Sequence, residues 1–433
     1  MYWLYSALLA AALLVTLPYW LMQMSRYGKY RAGLGERLGK VPARLVANSS
    51  QPTIWVHAVS LGEALAVSRL VKELQSRFPQ YRFVVSTTTD TGQKLARKHF
   101  GAENVFYFPM DFAFAIRPYL RSLRPQLIVL AETEFWPNFL RLAHASGAQV
   151  AVVNARISDR SWPRYQQFRF FYSRILRGVD LFLAQTEGDA GRLCDIGAPA
   201  ERVQVSGNLK FDMPAPPAPP IVASLRASFQ QSGAGPVIVC GSTVDEEEPL
   251  LLRAFENALA SYTRAVMILA PRHPERFGTV AQLLEKLGIR FWRRSLWSGD
   301  PIAGGVLLID SIGELAALYS LADVAFVGGS LVPRGGHNII EPAQHGVPIV
   351  VGSHTENFRD IVRVFQSREA IRVVSVVEFP LVLMELLANE SARAALGRRA
   401  AETLRSQTGA TQKTAGALQR LLEPTRNRVS TGS

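Results

Sequence analysis

Short apolar segments alternate with longer amphipathic ones along most of the chain, and this alternation predicts parallel β-sheets covered by helices. The apolar segments are rich in valine, isoleucine, leucine and phenylalanine and lack the in-out alternation of a half-exposed strand. Strands of this kind are buried on both faces, as in sheets with helices on both sides. The predicted strands begin at Ile54, Phe83, Val105, Leu127, Gln149, Leu181, Val203, Val237, Val266, Ile289, Val306, Val324 and Ile349.

A proline-rich segment separates two groups of these strands. Residues 213–220 read Met-Pro-Ala-Pro-Pro-Ala-Pro-Pro, which is typical of a stiff extended linker. A chain of 433 residues also exceeds the usual size of one hydrophobic core. We therefore predict one α/β domain over 25–212 and a second over 221–425, followed by a polar tail, 426–433. Parallel sheets bind ligands at the carboxyl ends of their strands, so the ligand site is expected in a cleft between two Rossmann-like domains.

The first 24 residues predict a membrane anchor. They contain no charged side chain, and about 20 apolar residues at 1.5 Å each span the roughly 30 Å hydrocarbon layer. Tyrosine and tryptophan stand at both ends of the segment, and the nearest basic residues, Arg26, Lys29 and Arg31, follow it. Basic residues that follow the apolar segment, with none before it, favour a retained anchor over a cleaved signal peptide. They also predict that the following chain stays in the cytoplasm. Pro18 leaves open a shorter helix that lies in the membrane interface.

Composition narrows the classes of partner. The net charge is +13 and the isoelectric point is about 10.0, which favours nucleic acid, an anionic membrane or a phosphorylated substrate. The arginines are scattered rather than clustered, which argues against nucleic acid. Two cysteines, Cys194 and Cys240, exclude a disulfide framework and a cysteine-based zinc site. The sequence also lacks GxxxxGK(S/T), HExxH, GxGxxG and a DxD pair, so kinase, zinc protease and ordinary dehydrogenase functions lose their main support.

Ionisable residues of the first domain stand directly after predicted strands. Glu63 begins the helix after the first strand, where it either caps the helix or acts as a general base on a hydroxyl. Glu132 and Glu134 end the fourth strand, and on a strand they would point to the same side. They either pair with an arginine or belong to a functional site. Lys210 follows the last strand before the linker and is expected at the same edge of the sheet.

A glycine-rich segment of the second domain predicts a nucleotide site. Gly328-Gly-Ser330 follows a strand, and Gly335-Gly-His-Asn-Ile-Ile-Glu341 leads into a helix. Glycines let a backbone approach a phosphate, and N–H groups at a helix start bind it. Glu341 is placed to accept hydrogen bonds from ribose hydroxyls. Arg272 and His273 follow a neighbouring strand and offer two cationic donors.

Ten segments occur in one order along most of the chain, from about Arg26 to Asn357. They are HAVSLGEALA, STTTDTG, PMD at Pro109, ETEFWPN, VNARISDRS, GNLKFD, APRHPER, SIGEL, FVGGSLVPRGGHNIIEP and the stretch Pro348 to Phe358. Together with the N-terminal anchor they resemble the Kdo transferases, membrane-associated enzymes of Gram-negative bacteria. Two departures are visible: Val244 stands where the family often has histidine, and Ser311-Ile312 replaces a more usual Thr-Met.

The resemblance implies the glycosyltransferase-B fold, with an acceptor-binding N-terminal domain and a CMP-sugar-binding C-terminal domain. It implies inverting transfer of Kdo, an eight-carbon acidic sugar, from CMP-Kdo to the phosphorylated lipid A precursor (lipid IVA). The reaction would need no metal or other cofactor and would take place at the cytoplasmic face of the inner membrane. The partners are then the donor, the acceptor and an anionic membrane surface, with no nucleic acid.

The resemblance also assigns roles to single residues. Glu63 corresponds to the general base, and Glu132 and Lys210 correspond to residues that support the transition state. The implied CMP-binding residues are Arg272, His273, Ile312, Gly313, Glu314, Asn338, Ile339, Ile340 and Glu341.

Two other functions fit parts of the sequence. One is another two-domain glycosyltransferase, or a nucleotide-sugar epimerase, with a uridine nucleotide donor. The other is a membrane-tethered protein that binds nucleotides or nucleic acid without catalysis, which the charge of +13 alone would suggest.

Overall fold

The chain folds around two separate parallel sheets, each in its own unit. The first unit comprises Met1–Met213 with the C-terminal segment from Gln407, and the second comprises Pro214–Ser406. The division falls at the start of the proline-rich segment. The computed structural model describes residues 1–27, 31–46, 51–215 and 217–423, and the predicted polar tail, 426–433, lies outside them.

The first unit contains seven strands in the order β3-β2-β1-β4-β5-β6-β7, all parallel. Their bounds are β1 Thr53–His57, β2 Arg82–Thr87, β3 Val105–Tyr107, β4 Pro125–Ala131, β5 Gln149–Ala155, β6 Leu181–Ala184 and β7 Val203–Val205. Every residue of β1 is buried, which explains the apolar run 54–56 at its centre. The strand order reverses between β1 and β4, and ligands of open parallel sheets bind beyond such a reversal point.

Helices of the first unit begin where the sequence supplies a capping side chain. Ser60, Thr89 and Thr186 each precede a helix and accept a hydrogen bond from a main-chain N–H of its first turn. The helices are α1 Tyr2–Tyr27, α2 Leu34–Arg37, α3 Ala43–Val46, α4 Leu61–Arg77, α5 Asp90–Phe100, α6 Ala113–Leu123, α7 Pro137–Ala145, α8 Trp162–Gln167, α9 Arg169–Leu176 and α10 Glu187–Asp195.

The second unit repeats the same plan. Its parallel strands follow the order β10-β11-β9-β8-β12-β13-β14, with the reversal between β8 and β12. The strands are β8 Val237–Thr243, β9 Val266–Pro271, β10 Phe291–Arg293, β11 Gly305–Leu308, β12 Val324–Val327, β13 Ile349–Gly352 and β14 Arg372–Val374. The helices are α11 Pro220–Ser232, α12 Glu248–Ser261, α13 Phe277–Lys286, α14 Leu315–Leu318, α15 Ile340–Gln344, α16 Arg359–Gln366, α17 Phe379–Ala388 and α18 Glu390–Gln407.

The predicted α/β class and all thirteen predicted strands are confirmed. The sequence analysis missed only β14 among the described strands. This edge strand has three residues, and two of them are partly exposed. A segment that short gives no apolar run to detect.

The last helix, α19 (Ala410–Leu422), belongs to the first unit and not to the domain 221–425 predicted from the sequence. Asp212, at the end of the first unit, accepts hydrogen bonds from the main-chain N–H groups of Gly409 (2.7 Å) and Thr411 (2.5 Å). Arg77 of α4 donates to the side chain of Gln419 at 3.3 Å. The predicted boundary is therefore wrong at its C-terminal end, because a chain that returns to an earlier sheet leaves no compositional break.

The predicted N-terminal anchor is a single helix, α1. It is long and apolar enough to cross a membrane, with a hydropathy of 1.7 over its most apolar window, and no residue of that window is buried. Pro18 lies inside it and does not end it. By length and composition the helix fits a membrane anchor.

Candidate active site

Glu63 and Glu132 lie at the reversal point of the first sheet. Glu63 is in the first turn of α4, which follows β1, and Glu132 follows β4 directly. The two strands pair in parallel, so their carboxyl ends deliver both carboxylates to one place. The sequence analysis expected them at one edge of the sheet, and the structure brings them there.

The carboxylate of Glu63 takes part in a variant of the capping box, in which it bonds to the hydroxyl of the N-cap residue Ser60 and to the main-chain N–H of Val59. Its Oε2 accepts a hydrogen bond from the main-chain N–H of Val59 at 2.8 Å, and its Oε1 accepts one from Ser60 Oγ at 2.9 Å. Glu63 can therefore both cap the helix and act as a general base, because a carboxylate has about four acceptor positions and two of them are used. The cap fixes the side chain and leaves lone pairs for a further donor.

Lys210 is the cation of this cluster. Its Nζ lies 3.3 Å from Glu132 Oε1, and both side chains are about one-fifth exposed. A short 3-10 turn, Leu209–Asp212, carries the lysine, and Asn154 of β5 holds that turn by accepting the main-chain N–H of Leu209 at 3.0 Å. The predicted ion pair of Glu132 thus forms with a lysine rather than with an arginine.

Glu132 does not sit on the strand as the sequence analysis expected. The strand ends at Ala131, and Glu132 has a φ of 58° and donates its main-chain N–H to the carbonyl of Val153 at 2.9 Å. The expectation that Glu132 and Glu134 point to the same side held only for strand residues, and neither residue is in the strand. A left-handed conformation of a residue other than glycine is uncommon and is typical of functional sites.

The acidic residues of this cluster perturb one another. Burial, and next the charge of Glu132, raise the pKa of Glu63, while Lys210 and the two hydrogen-bond donors act in the opposite direction. Burial, and next the charge of Glu63, raise the pKa of Glu134 to about 7. Glu134 Oε2 accepts a hydrogen bond from Trp136 Nε1 at 2.7 Å. Carboxylates with a pKa moved toward neutrality are suited to proton transfer at physiological pH.

The second unit gathers cationic and acidic groups after β9 and β12. Arg272 and His273 are exposed and follow β9. The charges of both lie close enough to His337 to lower its pKa, after burial, to about 4. Burial raises the pKa of Glu341, against the opposing effects of Asn338 and Arg272, and Asn338 Nδ2 donates to Glu341 Oε1 at 3.1 Å.

The predicted CMP-binding residues 312–314 lie beside this group. Ile312 and Gly313 are exposed, and α14, which starts directly after Glu314, contacts α15. Glu314 pairs with Arg294 through both oxygens, at 2.8 and 3.1 Å. Its carboxylate therefore has a structural partner already.

Ile339 and Ile340 are buried, with 1% and 2% of their surfaces exposed. Their side chains pack inside the unit, so only their main-chain atoms can face a ligand. The main-chain N–H of Ile340 donates to Asn338 Oδ1 at 3.1 Å.

Glu247 was missed by the sequence analysis, and it changes the interpretation of the glycine-rich segment. This fully buried carboxylate lies between β8 and α12 and accepts main-chain N–H groups of Gly329 (2.7 Å), Ser330 (2.9 Å) and Leu331 (2.8 Å). These three N–H groups are therefore not available to a phosphate, because an internal carboxylate already accepts hydrogen bonds from them. The sequence signal was the acidic run Asp245–Glu248 directly after a buried strand.

Gly329 and His337 meet at close range. Gly329 has a φ of 70°, and a Cβ at this position would lie 2.8 Å from His337 Nε2. That nitrogen is buried and has no hydrogen-bond partner among the residues described. The glycine therefore leaves room for a histidine that the sequence analysis had not singled out.

Comparisons with known proteins agree with the motifs. Residues 32–213 match the family model described as 3-deoxy-D-manno-octulosonic-acid transferase (kdotransferase). The 3-deoxy-D-manno-octulosonic acid transferase of Haemophilus influenzae is 34% identical over 403 residues, which is 91% of this chain and 92% of that protein. The chain belongs to the Kdo transferase family. A second Kdo transferase, from Bordetella pertussis, is 36% identical over 431 residues and covers 95% of this chain and 97% of its own length.

Kdo transferases are glycosyltransferases of lipopolysaccharide core biosynthesis, so this chain is an enzyme and not a binding protein alone. Among solved structures, the UDP-GlcNAc 2-epimerase of Neisseria meningitidis superposes with a TM-score of 0.57 at 13% identity and covers 85% of this chain and 100% of its own. At that identity the likeness shows the fold alone, which is the two-domain arrangement of the glycosyltransferase-B type. Membership of the family rests instead on the sequence relatives, which are 34% and 36% identical to this chain.

Proposed function

We propose that this enzyme transfers Kdo from CMP-Kdo to the phosphorylated lipid A precursor at the cytoplasmic face of the inner membrane, with inversion and without a metal. The acceptor hydroxyl attacks the anomeric carbon of Kdo as the bond from that carbon to the CMP phosphate oxygen breaks. The phosphate leaves with the electron pair, and the proton of the hydroxyl passes to Glu63. Attack from the face opposite the leaving group inverts the anomeric centre.

Glu63 is the general base of this reaction. Its raised pKa makes the ionised form a stronger base than a solvent-exposed glutamate, and the charge of Lys210 opposes that rise. The capping box holds both oxygens in place before the acceptor arrives. Proton transfer by a positioned side chain accelerates such steps by about 100- to 10,000-fold.

Glu132 and Lys210 support the transition state as a pair. The lysine is held 3.3 Å from Glu132, and its charge reaches Glu63 as well. Its position therefore balances the negative charge of two neighbouring carboxylates, those of Glu63 and Glu132. Removing it would raise the pKa of Glu63 further and leave the base protonated for more of the time.

The second unit recognises the donor. Arg272 and His273 are exposed hydrogen-bond donors for the CMP phosphate, which they stabilise as its charge develops on bond cleavage. Glu341, oriented by Asn338, accepts the ribose hydroxyls. His337 has a pKa of about 4 and is neutral at physiological pH, so its free Nε2 serves as a hydrogen-bonding group and not as a cation.

The enzyme binds its lipid acceptor at a membrane surface. Helix α1 fits an anchor, and the basic residues that follow it favour the cytoplasmic side. A net charge of +13 suits an acceptor and a surface that both carry phosphates, since anionic headgroups attract each Lys or Arg near the surface by about 1 kcal/mol.

The observation that carries this proposal is the meeting of Glu63, Glu132 and Lys210 at the sheet reversal point. It is tested by incubating the purified enzyme with CMP-Kdo and the tetraacylated lipid A precursor and measuring the mass of the product. Parallel reactions contain UDP-sugars in place of CMP-Kdo, or a chelator of divalent metals. We expect Kdo addition with CMP-Kdo only, unchanged by the chelator. Transfer from a UDP-sugar, or inhibition by the chelator that added metal reverses, would contradict the proposal.

A further inference from the structure

One face of helix α1 lies against the first unit. Tyr2, Tyr5, Ser6, Leu9 and Leu13 are partly covered, and they recur at the spacing of a helix face. Ser6 Oγ accepts a hydrogen bond from Asn138 Nδ2 at 3.0 Å, and Arg141 lies over the ring of Tyr2 at 5.0 Å. The N-terminal half of the helix is thus docked on its own domain.

An apolar pocket of about 170 Å³ lies between this helix and the domain. Leu9 and Leu13 form one wall, and the turn Phe108–Phe112 with Trp136 forms the other. For comparison, a cavity of about 150 Å³ lined by apolar side chains stays dry and binds benzene. The pocket therefore has room for an apolar segment of roughly six carbons.

The two charged residues beside the pocket are already bonded. Arg37 Nη2 donates to the carbonyl of Thr88 at 2.6 Å. The carboxylate of Asp111 accepts the main-chain N–H groups of Asn138 (3.1 Å) and Phe139 (2.7 Å). Both charged groups thus have partners within the domain, and most of the lining is apolar, so the space is suited to an uncharged chain.

Two short connections join the pocket to the carboxylate cluster. Trp136, in its wall, donates its indole N–H to Glu134 at 2.7 Å. Thr88, also in the lining, donates its main-chain N–H to the carbonyl of Val59, whose own N–H donates to Glu63. An apolar chain in the pocket would therefore have its polar end within reach of the proposed base.

We infer that the pocket binds a segment of one acyl chain of the acceptor lipid. This inference rests on the proposed function, because it requires a lipid acceptor. One wall of the pocket is the apolar helix α1. Because its N-terminal half is docked on the domain, the helix lies in the membrane interface, the alternative that Pro18 left open, and a chain can enter from the hydrocarbon layer without crossing water. The occupant is the acceptor and not a bulk phospholipid, because only the acceptor must place a sugar hydroxyl beside Glu63.

The pocket serves to position the acceptor. A chain that moves from lipid into an apolar pocket leaves one apolar medium for another, so the hydrophobic effect contributes little and close packing supplies the affinity. We therefore expect changes in the pocket to act on the KM for the acceptor by about tenfold, with kcat and the KM for CMP-Kdo almost unchanged.

The first experiment fills the pocket by substitution. Leu13→Trp places a large ring in the pocket, and Leu14→Trp places the same ring on the outer side of the helix, where Leu14 is 69% exposed. With the tetraacylated precursor, Leu13→Trp should raise the acceptor KM about tenfold, and Leu14→Trp should leave it within twofold of the wild type. Equal KM values for the two variants, or a loss confined to kcat or to the KM for CMP-Kdo, would overturn the inference.

The second experiment needs no turnover and so separates this inference from the proposed function. A precursor analogue with a diazirine near the end of one acyl chain is photolysed on the full-length wild-type enzyme in phospholipid vesicles, and labelled residues are mapped by mass spectrometry. We expect label on Leu9, Leu13 or the turn Phe108–Phe112, and we expect unlabelled precursor to compete. Label elsewhere, or equal labelling by a diazirine phospholipid that the precursor does not displace, would overturn the inference. Absence of Kdo transfer with correct labelling would instead contradict the proposed function.

Discussion

The two units place carboxylates at the same point of the same sheet plan and use them in opposite ways. In the first unit, Glu63 and Glu132 share one lysine, and the charges of neighbouring carboxylates help to raise the pKa values of Glu63 and Glu134. In the second unit, the carboxylate of Glu247 is enclosed by main-chain N–H groups across the reversal between β8 and β12. The carboxylates of the first unit can therefore exchange protons, whereas the carboxylate of Glu247 holds the loop after β12 in place.

The difference shows that a carboxylate after a buried strand does not by itself indicate catalysis. Burial raises the pKa of Glu247 as well, so the partners separate the two cases: main-chain N–H donors lower the pKa of Glu247, whereas Glu63 keeps free lone pairs and a like-charged neighbour that raises its pKa further. Main-chain donors stabilise the anion permanently. Like charges destabilise it and so make it a better base.

The largest expected effect comes from Glu63→Gln. Glutamine keeps the size of the side chain but cannot accept a proton at neutral pH, so kcat should fall about 100- to 10,000-fold. The matched control is Glu73→Gln on the same helix, where the glutamate only pairs with Arg77 at 2.8 Å. Steady-state kinetics with both substrates measure this fall in kcat. A kcat of Glu63→Gln close to that of Glu73→Gln would contradict the assignment of Glu63 as the general base.

Glu247→Gln should mainly reduce stability. The amide has one acceptor oxygen and turns an N–H₂ group toward main-chain donors, so buried N–H groups lose their partner at about 1–3 kcal/mol each. We expect a loss of about 3 kcal/mol in the free energy of unfolding of the second unit, measured by urea denaturation. Glu246→Gln, at the exposed neighbouring residue 3.9 Å from Arg334, should change it by less than about 0.5 kcal/mol. Similar losses in the two variants would contradict the role of Glu247.

Glu134→Gln should stabilise the protein, and only at higher pH. The folded protein raises the pKa of Glu134 from 4.5 to about 7, so it binds this proton more tightly than the unfolded chain does. Ionisation therefore costs stability progressively between these values, and the full cost is present above pH 7. Allowing for partial exposure, the glutamine should add about 1–2 kcal/mol at pH 8 and clearly less at pH 5. Thermal unfolding at both pH values measures this, and a gain independent of pH would show that Glu134 is not perturbed by its neighbours.

The sequence predicted the strands and the placement of Glu63, Glu132 and Lys210 because both follow from local pattern. Buried parallel strands read as apolar runs, and residues after such strands meet at one edge. The contacts of Glu247 were not predictable in this way, since they depend on a loop 82 to 84 residues later in the chain. The left-handed turn at Glu132 and the return of α19 to the first unit depend on the same kind of distant contact.

The measurement that tests the division of roles most directly is calorimetric titration of CMP, without acceptor, into two variants. Glu341→Ala removes a carboxylate proposed to accept the ribose hydroxyls, and a lost hydrogen bond to a charged group costs about 1.5–3 kcal/mol, or roughly 10- to 150-fold in Kd. Glu63→Gln lies in the other unit and should bind CMP as the wild type does. If Glu341→Ala binds CMP like the wild type, or if Glu63→Gln loses CMP binding, the assignment of nucleotide recognition to the second unit and proton transfer to the first is contradicted.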